Sequence, residues 1–137
     1  TPDHGPARVD PRSGAVLVTA RPPLIAFNVD LATDDVELAK QIAADLRESG
    51  GGPPGVRAIG LHLPHRNRAQ VSFNVHDHRA APLGTLVEAV ASRAEIAEAE
   101  LVGLAPAAAL EGLPPELPLR DFDPNKHVIE NALRSII

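Results

Sequence analysis

Cysteine, methionine, tryptophan and tyrosine are absent from these 137 residues, and phenylalanine occurs three times. Without cysteine there is no disulfide and no thiolate metal site. With aromatics this scarce, a core must be built from Leu, Val, Ile and Ala, and there is no aromatic interleaving for the stacking of nucleic-acid bases. Positive charge is also in deficit. Lys and Arg number 13 against 18 Asp and Glu, for a formal net charge of −5, which argues against a sequence-blind nucleic-acid binder with its basic stripe. No apolar run approaches the roughly 18 residues of a membrane-spanning helix, and no signal peptide is visible. The expectation is a soluble, cytoplasmic domain with neither a nucleic-acid nor a membrane partner. The chain opens on "TPDHGP" with no initiator Met, which fits a processed chain or a piece of something longer.

What is present suffices for one domain with one core: 44% of the residues are apolar. Thr1 to Gly14, rich in Pro and Gly, reads as an extended loop, and Ala15 to Arg21 reads as a strand. Pro23 to Leu31 alternates, with Ile25, Phe27, Val29 and Leu31 on one face and Leu24, Ala26, Asn28 and Asp30 on the other. A helix follows. Thr33 is its expected N-cap, Asp34 and Asp35 suit its first turn, and Gly50 to Gly52 end it. Val56 to Leu63 is a second strand, "PHRNR" a hairpin loop, and Ala69 to Asp77 a third strand. A second helix begins near Pro82. Ala99 to Leu104 reads as a fourth strand, followed by a short helix and a Pro-rich loop. A closing helix has Asp123 as N-cap and Pro124 in its first turn.

The order β-α-β-β-α-β from residue 23 to 104 predicts the split βαβ, or ferredoxin-like, motif. The fold class is α+β: an antiparallel sheet with helices on one face, plus an extra N-terminal strand and a C-terminal helix. Three segments result, 1–22, 23–112 and 113–137. The tripeptide "FNV" occurs at Phe27 and again at Phe73. Right-handed crossovers place these two copies on the two central strands, with both Phe toward the helices and both Asn away from them. The expected helix-free face carries Leu24, Ala26, Asn28, Asp30, Ala58, Gly60, His62, Gln70, Ser72, Asn74 and His76. One solvated face is ordinary for an antiparallel sheet. Asn is a poor strand residue, however, so two at matching central places point to a ligand or partner surface.

Of the six His residues, His76 and His78 in "HDH" would share one strand face. No third ligand follows at fixed spacing, and surface His is the simpler reading, so no metal is expected. No Ser-His-Asp order or nucleophile elbow is recognisable. "GGGPPG" lacks the Lys and the strand-to-helix context of a phosphate loop and reads as a helix stop and turn. The opening loop, with Arg8, Arg12 and backbone donors near Gly5 and Gly14, could wrap an anionic ligand or be a loose terminus.

The stretch "PDHGPARVDPRSGAVLVTARPPLIAFNVDLATDDVELAKQIAADLRE" resembles the start of the C-terminal subdomain of glutamate formimidoyltransferases, the formiminotransferase half of formiminotransferase-cyclodeaminase. The similarity continues through "GVRAIGLHL", "AQVSFNVHD", "PLGTLVEAV" and "AELVGLAPAAAL", to about Leu110. The resemblance implies transfer of a formimino group from N-formimino-L-glutamate to tetrahydrofolate, a co-substrate, in histidine degradation. It implies two similar subdomains with folate between them, and a folate-binding segment at Gly5, Pro6, Ala7, Arg8, Val9, Asp10, Pro11, Arg12, Ser13 and Gly14. Asn28 and Asn74 would face the cleft. The family's catalytic His lies in an N-terminal subdomain, so no catalytic residue is expected here, and an N-terminal formiminotransferase subdomain becomes the expected partner. Ala7, Arg8, Val9, Asp10 and Arg12 stand where family residues include an aromatic, and the stretch from Arg93 to Ala99 is shorter than usual. Competing readings are a stand-alone folate-binding domain without catalysis and a purely structural interaction domain. Oligomeric state stays open, a homodimer included.

Overall fold

The computed structural model describes residues 2–134. Ile25–Leu31 form β1, Val36–Leu46 α1, Val56–Leu63 β2, Arg68–Val75 β3, Leu83–Ala91 α2 and Ile96–Val102 β4. The short helices α3 (Ala107–Leu110), α4 (Pro124–His127) and α5 (Ile129–Arg134) follow. The strands lie in the order β2-β3-β1-β4, and each neighbouring pair is antiparallel. This is the ferredoxin-like α+β arrangement expected from the element order.

The repeated tripeptide sits at the centre. Phe27 lies directly across from Phe73 in the β1–β3 register, and both rings are buried. A half-turn about that pair carries Asn28 onto Asn74, so the repeat in sequence is a local two-fold in space. On the same face, Ile25, Val29, Leu31, Val71 and Val75 meet Ala39, Ile42 and Ala43 of α1 and Leu83, Leu86, Val87 and Val90 of α2 in one buried cluster. Burying such side chains is the main stabilising term, at about 1.5–3 kcal/mol for each large aliphatic.

Helix α1 starts two residues later than expected. Asp35, not Thr33, is its N-cap: the Asp35 Oδ1 accepts from the Leu38 amide at 3.0 Å. Thr33 instead steadies the cap, its Oγ1 accepting from the Asp35 amide at 3.2 Å. Strand β4 starts at Ile96 rather than Ala99. The short link after Arg93 therefore reflects a longer strand.

Strand β2 is out of phase with the sequence reading. Val56 and Ala58 pair with Val75 and Phe73, so Ala58, Gly60 and His62 lie on the helix side, while Arg57, Ile59 and Leu61 lie on the open side. The cause is close packing. A Cβ added at Gly60 would stand 2.3 Å from the Lys40 amide nitrogen of α1, so the helix backbone occupies the space that Ile59 or Leu61 would need. Small residues face the helix there, and the bulky ones are turned out.

Two further expectations are corrected. Ala15 to Arg21 form no strand, and Val16, Leu17 and Val18 are 85%, 88% and 87% exposed. β propensity makes a strand only where a pairing partner is engaged, and these residues pair with neither outer strand; the β4 edge is instead used by Leu119, which Ala99 bridges in parallel. The closing helix is broken at Val128, whose backbone is extended and bridges to Ala105. The Ala105 amide donates to the His127 carbonyl at 2.9 Å and the Ile129 amide to the Ala105 carbonyl at 3.0 Å. Pairing with the body of the protein overrides helix continuity. The last residues expected in that helix, Ser135 to Ile137, lie outside the described residues.

Gly60→Ala is expected to lower the stability of the chain by about 1–3 kcal/mol, the usual cost of overpacking, whereas Leu17→Ser should stay within about 0.5 kcal/mol. Urea midpoints of the two variants check this, and an unchanged midpoint for Gly60→Ala would contradict the packing argument.

Candidate functional site on the open sheet face

Alternation leaves one sheet face without helices, and that face is polar for most of its width. Its two ends differ. At one end Asp30, only 1% exposed, is held from three sides. Gln70 Nε2 donates to its Oδ1 at 2.7 Å, and the guanidiniums of Arg66 and Arg120 donate to its Oδ2 at 3.1 and 3.2 Å. Glu98 takes Arg66, Arg120 at 3.0 Å and Arg68 at 3.5 Å. Glu100 takes Arg120 Nη2 at 2.6 Å and the Asn28 side-chain amide at 3.1 Å.

Arg120 is the hub, and backbone geometry aims it. The Ala99 amide donates to the Pro118 carbonyl and the Arg120 amide to the Ala99 carbonyl, both at 2.8 Å, so the segment before Arg120 runs along the outer edge of β4. The Glu100 hydrogen bond holds the Arg120 guanidinium charged well above its ordinary range. Conversely, the Arg120 hydrogen bond, joined by that from Asn28, holds the Glu100 carboxyl below the usual glutamate value. Acids tied to arginines in this way are not poised as bases. The cluster orders the surface and fixes the Asn28 amide through its Nδ2 group, leaving its carbonyl oxygen outside that bond.

The other end of the face is unfilled. Asn74 is exposed and Ser72 half-buried, and among the described residues neither side chain has a hydrogen-bond partner. They border a groove of about 510 Å³ that runs over Ile59 and Arg57 of β2 to Arg47 and Glu48 in the turn after α1.

The predicted residues are thus only partly brought together. Asn28 and Asn74 share the open face, one tied and one free. Gly5, Pro6, Ala7, Arg8, Val9, Asp10, Pro11, Arg12, Ser13 and Gly14 are all exposed, and none of the hydrogen bonds in this loop reaches the sheet. Asp10 closes a tight turn, its Oδ1 accepting from the Arg12 and Ser13 amides at 2.7 and 3.0 Å. Those donors, Ser13 first, hold its carboxyl below the usual aspartate value. Gly5 and Gly14 have φ of +88° and +69°, which suits residues without a Cβ. His76 and His78 do not share a strand face, because β3 ends at Val75 and Asp77 caps the following turn through the Arg79 amide at 2.9 Å. Among the described residues no three His, Asp or Glu side chains are placed to hold a metal.

The sequence reading missed Arg66, Arg68, Glu98, Glu100 and Arg120. The alternating Glu98 and Glu100 would have shown it, had β4 been started at Ile96. Arg120, lodged in a Pro-rich loop, carried no such signal.

Residues 26–113 match the formiminotransferase domain. The chain belongs to the formiminotransferase family. The glutamate formimidoyltransferase of Streptococcus pyogenes serotype M1 is 39% identical over 138 residues, covering 96% of this chain and 46% of that protein. The glutamate formimidoyltransferase of Thermoplasma acidophilum is 38% identical over 80% of this chain and 37% of its own. The formimidoyltransferase-cyclodeaminase of Sus scrofa is 41% identical over 80% of this chain and 22% of its own. This formiminotransferase-family chain therefore spans less than half the length of these relatives. None of its described helices is long and apolar enough to cross a membrane.

Arg120→Ala would take a shared cation from three carboxylates, one of them buried, leaving Glu100 without an ion-pair partner, and is expected to destabilise the chain by roughly 3 kcal/mol at neutral pH. The folded-state value of Glu100 is depressed, so its contribution is complete above the ordinary glutamate range and fades as pH falls through the lowered folded value. Without Arg120 the largest cause of that depression is removed, and acid unfolding should begin at higher pH. Circular dichroism across an acid titration reads the shift, and coincident wild-type and variant curves would show that Arg120 plays no such role.

Proposed function

We propose that this chain is the C-terminal, folate-binding subdomain of a glutamate formimidoyltransferase, acting with an N-terminal subdomain in the transfer of a formimino group from N-formimino-L-glutamate to tetrahydrofolate. The observation that carries this reading is the uncovered polar sheet face, with its free Asn74 and adjoining groove, in a family member whose relatives named for this activity are more than twice its length. A face of this kind supplies one wall of a cleft, and the second subdomain supplies the other.

In this reading the chain binds, orients and excludes water, while the catalytic base comes from the partner subdomain. Positioning the attacking nitrogen of tetrahydrofolate against the formimino carbon is a large part of such a reaction's acceleration. Asn28 and Asn74 offer amide groups to the amide-rich pterin. The segment from Gly5 to Gly14 closes over the folate, and Arg8 or Arg12 pairs with its anionic tail. The loop makes no hydrogen bond to the sheet in the chain by itself, which leaves it available to fold over ligand or partner. The organisation follows as 1–22 for folate, 23–112 as the subdomain proper and 113–137 as a C-terminal extension, in a cytoplasmic enzyme of histidine degradation.

The purified chain alone is expected to show no turnover of N-formimino-L-glutamate with tetrahydrofolate, and mixing with the N-terminal subdomain should restore it. In the reunited protein, Arg12→Ala and Asn74→Ala should each weaken folate binding about tenfold, equivalent to about 1.4 kcal/mol, as read by calorimetric titration. Unchanged affinity in both variants would favour the structural reading, and retained folate binding without turnover the non-catalytic one.

A further inference from the structure

The two Asn residues of the repeated tripeptide have unlike neighbours. Across the sheet, Asn28 lies between Ser72 of β3 and Glu100 of β4, whereas Asn74 lies between Ala26 of β1 and Arg57 of β2. The acid engages its Asn, and the base does not. Asn28 Nδ2 donates to Glu100 Oε2 at 3.1 Å, while the Asn74 amide has no hydrogen-bond partner among the described residues. The two-fold seen in the backbone is therefore broken in its chemistry.

Chemistry also dictates which end of the Asn28 amide is bound. An ionised carboxylate only accepts, so the NH2 group must face Glu100 and the carbonyl oxygen must turn away from it. Glu100 is kept ionised and in place by Arg120, whose Nη2 reaches the same Oε2 at 2.6 Å. Arg120 is anchored in turn by Asp30 of β1 and Glu98 of β4. A chain of contacts thus runs from the segment along the β4 edge to one side-chain amide. Among the described residues no donor reaches Asn28 Oδ1, and none of the buried side-chain nitrogens or oxygens is left without a partner. This oxygen is therefore not sealed inside the protein and opens onto the uncovered face.

We propose that Glu100, held by Arg120, is a positioning residue for ligand recognition: it fixes the Asn28 amide so that the carbonyl oxygen is presented to the cleft as an acceptor for an N–H group of the ligand. Asn74, tied to nothing, turns whichever end of its amide the ligand requires. The assignment rests on the reading of the open face as a ligand wall and adds to it how the face discriminates. An acceptor aligned in advance spares the cost of ordering that side chain on binding. A ligand group that can only accept would meet an unpaired acceptor there and be rejected.

The test has two steps. The first uses the isotopically labelled 137-residue chain by itself. The Asn28 side-chain amide signals should stay in place in Glu100→Gln, whose carbonyl can stand where Oε2 stands, and move toward those of Asn74 in Glu100→Ala, while the rest of the spectrum reports a folded chain. The second step measures folate affinity of the reunited protein by calorimetry in a double-mutant cycle. Asn28→Ala should weaken binding about fivefold, as the loss of one neutral hydrogen bond. Glu100→Ala should weaken it by a similar factor and Glu100→Gln by less than about twofold, and the double variant of Asn28→Ala with Glu100→Ala should bind no worse than Asn28→Ala alone. Asn74→Ala, which touches none of this cluster, should add its full loss to Glu100→Ala. Asn28 signals unmoved in Glu100→Ala, or losses that simply add in the double variant, would show that Glu100 does not act through Asn28 and overturn the assignment. A loss in Glu100→Gln equal to that in Glu100→Ala would give the role to the charge and overturn it as well. A wild-type protein that binds no folate would instead overturn the reading of the face, and the ligand role with it, while the first step still reports whether Glu100 holds Asn28.

Discussion

Two helices can cover one face of a four-stranded sheet, and period-two alternation decides which residues they cover. Phe27 across from Phe73 anchors that division. Once both rings point to the helices, Asn28 and Asn74 must point away, because neighbouring residues on a strand cannot share a face. The placing of both Asn side chains on the open face follows from that one pair.

The polar face is not uniform, and the difference is electrostatic. Around Asp30, charge is taken out of water and compensated by Arg66, Arg120 and Gln70. Such a cluster is a weak source of net stability, since desolvation offsets most of the attraction, yet it is costly to break from one side. It therefore acts mainly as a register device, tying β1, β4, the hairpin loop and the segment at Arg120 into one geometry. At the groove the charges meet water and remain available. Half of the face is committed to holding itself together and half is free for something else.

How far the fold could be read from residues alone depended on how local the determining interaction was. The alternation of Ile25 to Leu31 and of Val71 to Val75 is written in adjacent letters, and both central strands were recovered. Gly60 shows the limit. Its side of the sheet is set by the α1 backbone near Lys40, and nothing in "VRAIGLHL" reveals that a helix passes so close. The same holds for Val128, where helix propensity loses to pairing with Ala105, and for the apolar run at Val16, where strand propensity leads to no pairing with the sheet. Of the site, Asn28 and Asn74 were visible because they are odd residues in odd places. The arginines and glutamates around Arg120 were not, because ordinary charged residues become a network only when distant segments meet.

The segment carrying Arg120 also bears on where this unit can be cut. Similarity to the family domain stops at residue 113, but the sheet does not stop needing the chain there. Leu119 lies along the outer edge of β4 and Val128 against Ala105, and Arg120 neutralises acids on β1 and β4. A piece trimmed to the recognisable motif would bare a strand edge, open to pairing with other chains, and leave three carboxylates short of their shared cation. The boundary suited to producing the protein thus lies well beyond the end of the matched family domain, and the tail after residue 113 belongs to the folding unit.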